Sequence, residues 1–157
     1  HSTSRRQSQM CIRDSVKGVL KLIRDYWGAM LDFGATTFWE DFDLDWTRNS
    51  YGIDSLPVPG KRDIHGDFGK YCYQGLRHSL CHGWAGGPTA FLSETVLGVR
   101  PTAPGYRTVN VTPQLGELKY VRGTVPTPFG EITVEAERKG RQLLQNIILP
   151  PGVRQEQ

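Results

Sequence analysis

Arg100-Pro-Thr-Ala-Pro-Gly105 divides this chain into two kinds of sequence. Before it, apolar residues recur at three- and four-residue steps; after it, they alternate. Two prolines and a glycine within six residues suit neither pattern, so the stretch reads as a linker. Upstream, Val16, Val19, Leu20, Ile23, Trp27, Met30 and Leu31 mark one face, with Lys17, Lys21, Arg24 and Asp25 between them. That spacing predicts an amphipathic helix, N-capped by Ser15 and ending near Phe33-Gly34. A loop or short turn is expected over 34–45 and a long irregular connection over 47–69. Tyr71 to Leu80 reads as a short helix. A further helix follows, with Pro88 at its first position, Phe91, Leu92, Thr95 and Val96 on one face, and Gly98 just past its end.

Downstream of the linker, Thr108-Val-Asn-Val-Thr112 and Ile132-Thr-Val-Glu-Ala136 alternate as half-buried strands do. Leu118 to Val125 and Leu143 to Leu149 read as two more, separated by turns at Pro126-Thr-Pro-Phe-Gly130 and Lys139-Gly140. The expected fold class is therefore α+β in two partial domains, helical over 16–98 and antiparallel β over 99–157. Two or three helices with a wide apolar stripe cannot bury it without neighbours. The chain reads as a fragment whose helical part expects partners, with a β domain truncated at its C-terminal end.

At 157 residues, 38% hydrophobic and 22% charged, the composition is globular. No apolar run approaches the roughly 18 residues that a membrane span requires. The net charge of +3 is partly local. Within residues 1–15 three arginines against Asp14 leave +2, so only +1 belongs to the remainder. No basic face suggests nucleic acid as a partner. Residues 1–15 lack apolar periodicity and the hydrophobicity of a signal peptide. Met10-Cys-Ile-Arg-Asp-Ser15 resembles a translated sequencing-adapter remnant, so 1–15 is read as a non-native leader, and no compartment is assigned. Cys11, Cys72 and Cys81 are an odd number at irregular spacing, which favours reduced thiols over a disulfide framework.

Two segments carry candidate chemistry. Gly34-Ala-Thr-Thr-Phe-Trp-Glu40 sets a carboxylate beside an indole just after a helix. Ser79-Leu-Cys-His-Gly-Trp-Ala-Gly-Gly-Pro-Thr-Ala-Phe-Leu92 offers a histidine and a tryptophan in a glycine-rich turn that leads into the next helix. A sugar ring stacks its apolar face on an indole and bonds through its hydroxyls, while a carboxylate handles the proton. Glu40 is the candidate catalytic residue; Trp39, His82 and Trp84 are candidates for substrate binding. The competing structural readings are a solvated acidic turn at Glu40, a satisfied buried histidine at His82, and a core position for Trp84. Asp41-x-Asp43-x-Asp45 does not fit a calcium loop, because the sixth position is Trp46 and the twelfth is Gly52. His78, Cys81 and His82 lack zinc-motif spacing, so neither metal nor cofactor is expected. His65, Asp67 and Lys70, in the long loop, read as surface.

In this order the two segments resemble bacterial α-L-rhamnosidases of glycoside hydrolase family 78. The first is similar to the segment carrying their general base. The second, with Leu97-Gly-Val, resembles the segment closing their six-hairpin (α/α)6 barrel. Pro104-Gly105-Tyr106, Val109-x-Val-x-Pro113, Gly123-x-Val-Pro-Thr-Pro-Phe-Gly130 and Ile132-Thr-Val-Glu135 are similar to the β-sandwich domain that follows it. The resemblance covers about residues 16–150. It implies the end of the barrel over 16–98, a β-sandwich over 99–157, and hydrolysis of terminal α-L-rhamnose with inversion. Glu40 would be the general base, His82 would bond sugar hydroxyls, and Trp39 and Trp84 would be aromatic walls. The partner would be a rhamnose-containing glycoside or polysaccharide. The family's general acid lies in an earlier barrel segment outside this sequence, so the fragment alone is expected to be inactive. A related six-hairpin glycosidase for another sugar and a non-catalytic carbohydrate-binding module are the competing functions.

Overall fold

The computed structural model describes residues 16–68 and 78–156. The leader at 1–15 with its Ser15 cap, and most of the expected helix over 71–80, lie outside the described residues. Contacts divide the chain into two compact units, Val19–Gly87 and Pro88–Gln157, with residues 16–18 grouped with the second.

The helix α1 spans 16–32, as Val16–Ile23, a π-helical turn Arg24–Gly28, and Ala29–Asp32. Its end follows the glycine signal. Gly34 takes φ +90°, its N–H reaches the Leu31 carbonyl, and the Ala35 N–H reaches that of Met30. This is the two-bond helix stop that a left-handed residue permits, and Met30 and Ala35 supply its apolar contact within one core. That core holds Met30, Ala35, Trp39, Ile64 and Phe68, with Trp27, Phe42 and Trp46 packed against it. Leu31, expected on the apolar face, is 68% exposed instead. It lines an open groove of about 260 Å³ with Trp27 and Phe38.

The connection over 47–69 is irregular but not featureless. A 3₁₀ turn at Leu44–Thr47 precedes β1 (Ser50–Tyr51), which pairs in parallel with β2 (Arg62–Asp63). Trp46 stacks on Phe68 with ring centroids 5.2 Å apart, and the Arg62 guanidinium lies 3.9 Å from the Phe68 centroid.

In the second unit α2 spans 87–96, as Gly87–Phe91 and a π-helical turn Leu92–Val96. Pro88 and Val96 are buried, whereas Leu92, expected on the same face, is exposed. Gly98 then turns the chain at φ +76° into β3 (Val99–Pro101). Beyond a 3₁₀ turn at Pro104–Tyr106 come β4 (Thr108–Val111), β5 (Tyr120–Thr127), β6 (Gly130–Lys139), β7 (Gln142–Ile148) and β8 (Arg154–Gln155). One sheet has the order β3-β4-β8, antiparallel and then parallel; the other, β5-β6-β7, is antiparallel throughout. Val99, Val109 and Val111 of the first share a core with Val125, Ile132 and Val134 of the second. Alternation produces that core most plainly in β4 and in Ile132–Ala136 of β6, where every second residue is buried, whereas β7 is exposed along nearly its whole length. Among the described residues the architecture is thus α+β, with a few helices and three small sheets.

Gly98 is the most constrained backbone position in this unit. A Cβ there would lie 2.2 Å from the Thr112 carbonyl, whose own N–H donates to the Gly98 oxygen at 3.0 Å. Gly98→Ala is expected to cost about 2 kcal/mol or more, because the residue is both left-handed and walled by backbone. Urea unfolding of the variant against the parent chain measures it. An unchanged midpoint would contradict this geometry.

Candidate active site

The site grows from the helix stop at Gly34. Beyond α1 the chain runs through bends at 36 and 37 with no regular strand. Ala35 and Trp39 turn inward, while Phe38 and Glu40 lie at the surface side. Trp39 is only 2% exposed and packs on Phe42 with centroids 5.7 Å apart. It therefore presents no open indole face in this chain, and its buried Nε1 has no hydrogen-bond partner among the described residues.

This segment is bonded to residues 79–82. The Glu40 N–H donates to the Ser79 carbonyl at 2.9 Å and the His82 N–H to the Phe38 carbonyl at 2.7 Å. The Thr37 hydroxyl adds a bond to the Leu80 carbonyl. Ser79 returns a bond of its own, its N–H reaching Glu40 Oε2 at 2.7 Å. The carboxylate is thus held by one oxygen. The other, Oε1, faces His82 Nδ1 at 3.9 Å, beyond hydrogen-bond reach but within Coulombic range. Both side chains keep partial access to solvent, 20% for Glu40 and 34% for His82.

Trp84 follows on a 3₁₀ turn, Gly83–Ala85, pinned to α1 by the Trp27 Nε1 bond to the Ala85 carbonyl at 3.0 Å. Trp84 lies edge-on to His82 with centroids 6.3 Å apart and is 95% exposed. Glu40, His82 and Trp84 therefore come together, while Trp39 is buried in the core. Two of the other carboxylates of the acidic run serve the local turn. Asp43 caps it through the Asp45 N–H at 2.8 Å, and Asp45 pairs with Arg48 at 3.1 Å.

Sequence reasoning missed a layer behind Glu40. His65, read as surface, is half-buried, and its Nε2 lies 3.1 Å from the His78 carbonyl. A carbonyl only accepts, so Nε2 carries the proton in this contact. The His65 and His78 rings meet edge-on at 4.3 Å. Asp67, exposed as its surface reading has it, accepts from the Asp63 N–H at 2.8 Å, and Asp63 accepts from the His65 N–H at 2.9 Å. The signal for this turn was present in Asp63-Ile-His-Gly-Asp67, whose aspartates suit side-chain-to-backbone bonds two to four residues away. Lys70 lies outside the described residues. Tyr51, beside Asp63, is held above the usual phenol value by desolvation first and then by the charges of Asp63 and Asp67.

His78 is 3% exposed and its Nδ1 has no partner among the described residues. Burial, reinforced by His65, pushes it below the ordinary histidine value, against a smaller upward pull from Asp41 and Glu40. It is neutral in the folded chain at neutral pH. Among the described residues no group of three or more His, Cys, Asp or Glu could hold a metal, and no helix is long and apolar enough to cross a membrane.

Residues 98–156 match the bacterial alpha-L-rhamnosidase C-terminal domain. The chain is 32% identical over 109 residues to an alpha-L-rhamnosidase of Alteromonas sp. (strain LOR), covering 69% of this chain and 10% of that protein. It is 26% identical over 131 residues to an alpha-L-rhamnosidase of Formosa agariphila, covering 83% and 12%. Its fold is similar to that of Streptomyces avermitilis alpha-L-rhamnosidase complexed with L-rhamnose, at a TM-score of 0.56 and 22% identity over 82% of this chain and 11% of that one. An alpha-L-rhamnosidase from Dictyoglumus thermophilum is similar at 0.54 and 22%, over 82% and 12%. The chain spans about a tenth of the curated relatives it matches.

The depressed value of His78 has a sign that can be tested. Its folded value lies below its unfolded one, so the unfolded chain binds more protons once pH drops below 6.5. The stabilisation is complete above that value and is lost as pH falls through the folded one. Urea midpoints followed by tryptophan emission should fall between about pH 7.5 and about pH 5.5, and fall less in His78→Asn. Equal slopes in the two proteins would remove His78 as the cause.

Proposed function

We propose, on the premise that this chain is a partial relative of the bacterial alpha-L-rhamnosidases and carries their C-terminal domain at 98–156, that it supplies the base side of an inverting glycosidase site. The substrate is a terminal α-L-rhamnose on a glycoside or polysaccharide. Residues 16–98 form the end of an (α/α)6 barrel, and 99–157 belong to a β-sandwich. The open groove lined by Trp27, Leu31 and Phe38 supports the barrel reading, because an apolar surface at a helix end is the kind that further helices bury.

The observation that carries the mechanism is the unequal treatment of the two Glu40 oxygens. Oε2 is occupied by the Ser79 N–H, and Oε1 is turned towards His82 in a half-open setting. In the proposed step Oε1 takes a proton from a water as that water's oxygen bonds to the anomeric carbon. The bond from that carbon to the leaving oxygen breaks on the opposite face, and a second carboxylic acid protonates the departing oxygen. In inverting enzymes the two carboxyl groups stand about 6.5–9.5 Å apart to admit the water. The second acid is outside this chain, so the chain alone is inactive. Only protons and one water are exchanged, and no cofactor enters.

His82 bonds sugar hydroxyls with a ring nitrogen, and the exposed Trp84 presents the aromatic face. Trp39 serves the site from the core, which it fills so that Glu40 faces outward.

The test uses the full-length protein that contains this chain and an aryl α-L-rhamnoside. Glu40→Gln is expected to lower kcat about 10²–10⁴-fold while KM stays within about threefold. Turnover like that of the parent would exclude Glu40 as the base. Preference for a different aryl glycoside would change the sugar and leave the base in place. Trp84→Ala is expected to raise KM about fivefold or more, the worth of one lost stack, with an unchanged unfolding midpoint. A lowered midpoint with unchanged KM would make Trp84 structural.

A further inference from the structure

We propose that His65 is a positioning residue for Glu40, acting through the single peptide group that joins His78 to Ser79; the role rests on the general-base reading above. The carbonyl that accepts from His65 Nε2 at 3.1 Å and the N–H that donates to Glu40 Oε2 at 2.7 Å belong to that same amide. A peptide group is planar and trans, so its oxygen and its hydrogen point in opposite directions along one rigid plate. Fixing the oxygen fixes where the hydrogen aims. A donor on the carbonyl also polarises the amide, which strengthens the bond its N–H makes on the other side.

The far end of this relay is itself anchored. Ile64, 1% exposed, enters the core that also holds Trp39. On either side of it, Asp63 accepts from the His65 N–H and Asp67 from the Asp63 N–H. The Asp67 N–H returns to the Asp63 carbonyl at 3.1 Å. The His65 ring is therefore carried by a stiff turn, and its edge-on contact with His78 at 4.3 Å limits its rotation. Without the His65 donor the 78–79 plate can tip, Oε2 loses its aim, and Oε1 leaves the orientation that faces His82.

The test compares three substitutions in the full-length protein. His65→Gln keeps an N–H donor at a similar reach. His65→Phe keeps the ring volume without the donor, and His65→Asn keeps polarity but falls short of the carbonyl. The Phe and Asn variants are expected to lose about 10–100-fold in kcat with KM unchanged, the scale of a misplaced catalytic group. The Gln variant should regain most of the loss. Two variants without the donor guard against one of them failing to fold. Parent-like kcat in both would overturn the proposal, as would equal losses in kcat, KM and unfolding midpoint that Gln does not restore. Glu40→Gln measured alongside separates the two readings. If it is inactive while the Phe and Asn variants are not, only the role of His65 fails; if it is active, the general-base reading fails and this proposal with it.

Discussion

The antiparallel pairing of residues 37–40 with 79–82 is the constraint on which residues 19–87 depend. It closes a loop of about 40 residues, at an entropic cost on the order of 3 kcal/mol beyond the fixed part. Its two backbone bonds contribute about 1 kcal/mol each, so they do not close the loop alone. The burial of Trp39, Ile64 and Phe68 provides the remainder, each apolar side chain contributing about 1.5–3 kcal/mol. The packing works through a tryptophan whose Nε1 is left without a partner among the described residues, so the fit of the indole offsets a polar penalty as well. Because Trp39 and Glu40 are adjacent, the residue that closes the loop also decides which way the carboxylate faces.

The second unit is tied together by a different device. Gln114 donates its N–H to the Thr95 and Val96 carbonyls, meeting groups that the end of α2 leaves open. Leu97 then lies over Gly123 of β5, where an added Cβ would stand 2.7 Å from its Cδ1. A side chain at 123 would require the Leu97 side chain to shift from this seat. The glycine in the middle of a strand, usually a weakness, is here what lets a leucine reach the sheet.

What could be read beforehand follows from what is local. The helix stops at Gly34 and Gly98 were legible because a left-handed residue after an apolar periodic run has one common use. The strands at 108–111 and 130–139 were legible because alternation is a local pattern. The exposure of Leu31 and Leu92 was not, since periodicity marks an apolar face without saying what covers it. Trp39, expected as an aromatic wall, is core for a physical reason: an indole suits a sugar face and a core equally well, and only the course of the folded chain decides between them. The approach of Glu40 to His82 depends on a pairing about 40 residues apart in sequence, which no local rule contains. His65 was hidden in the same way, because its partner is a backbone carbonyl, and backbone groups leave no trace in a sequence.

A site carried on loops can still be held firmly. Loops place functional groups well only when a rigid scaffold positions them. Glu40 has that scaffold on every side the chain provides: Trp39 in the core next to it, the Ser79 amide on one oxygen, and a peptide plate whose opposite edge meets His65. Trp84 is treated differently. Its turn is pinned at one point by Trp27, while its own ring stays in solvent and touches His82 edge-on. A carboxylate that must aim a single oxygen needs fixed geometry, because proton transfer weakens quickly with misplacement. An aromatic face that stacks on an apolar ring tolerates sliding and gains from being accessible. The chain has stiffened the group whose work is directional and left open the group whose work is contact.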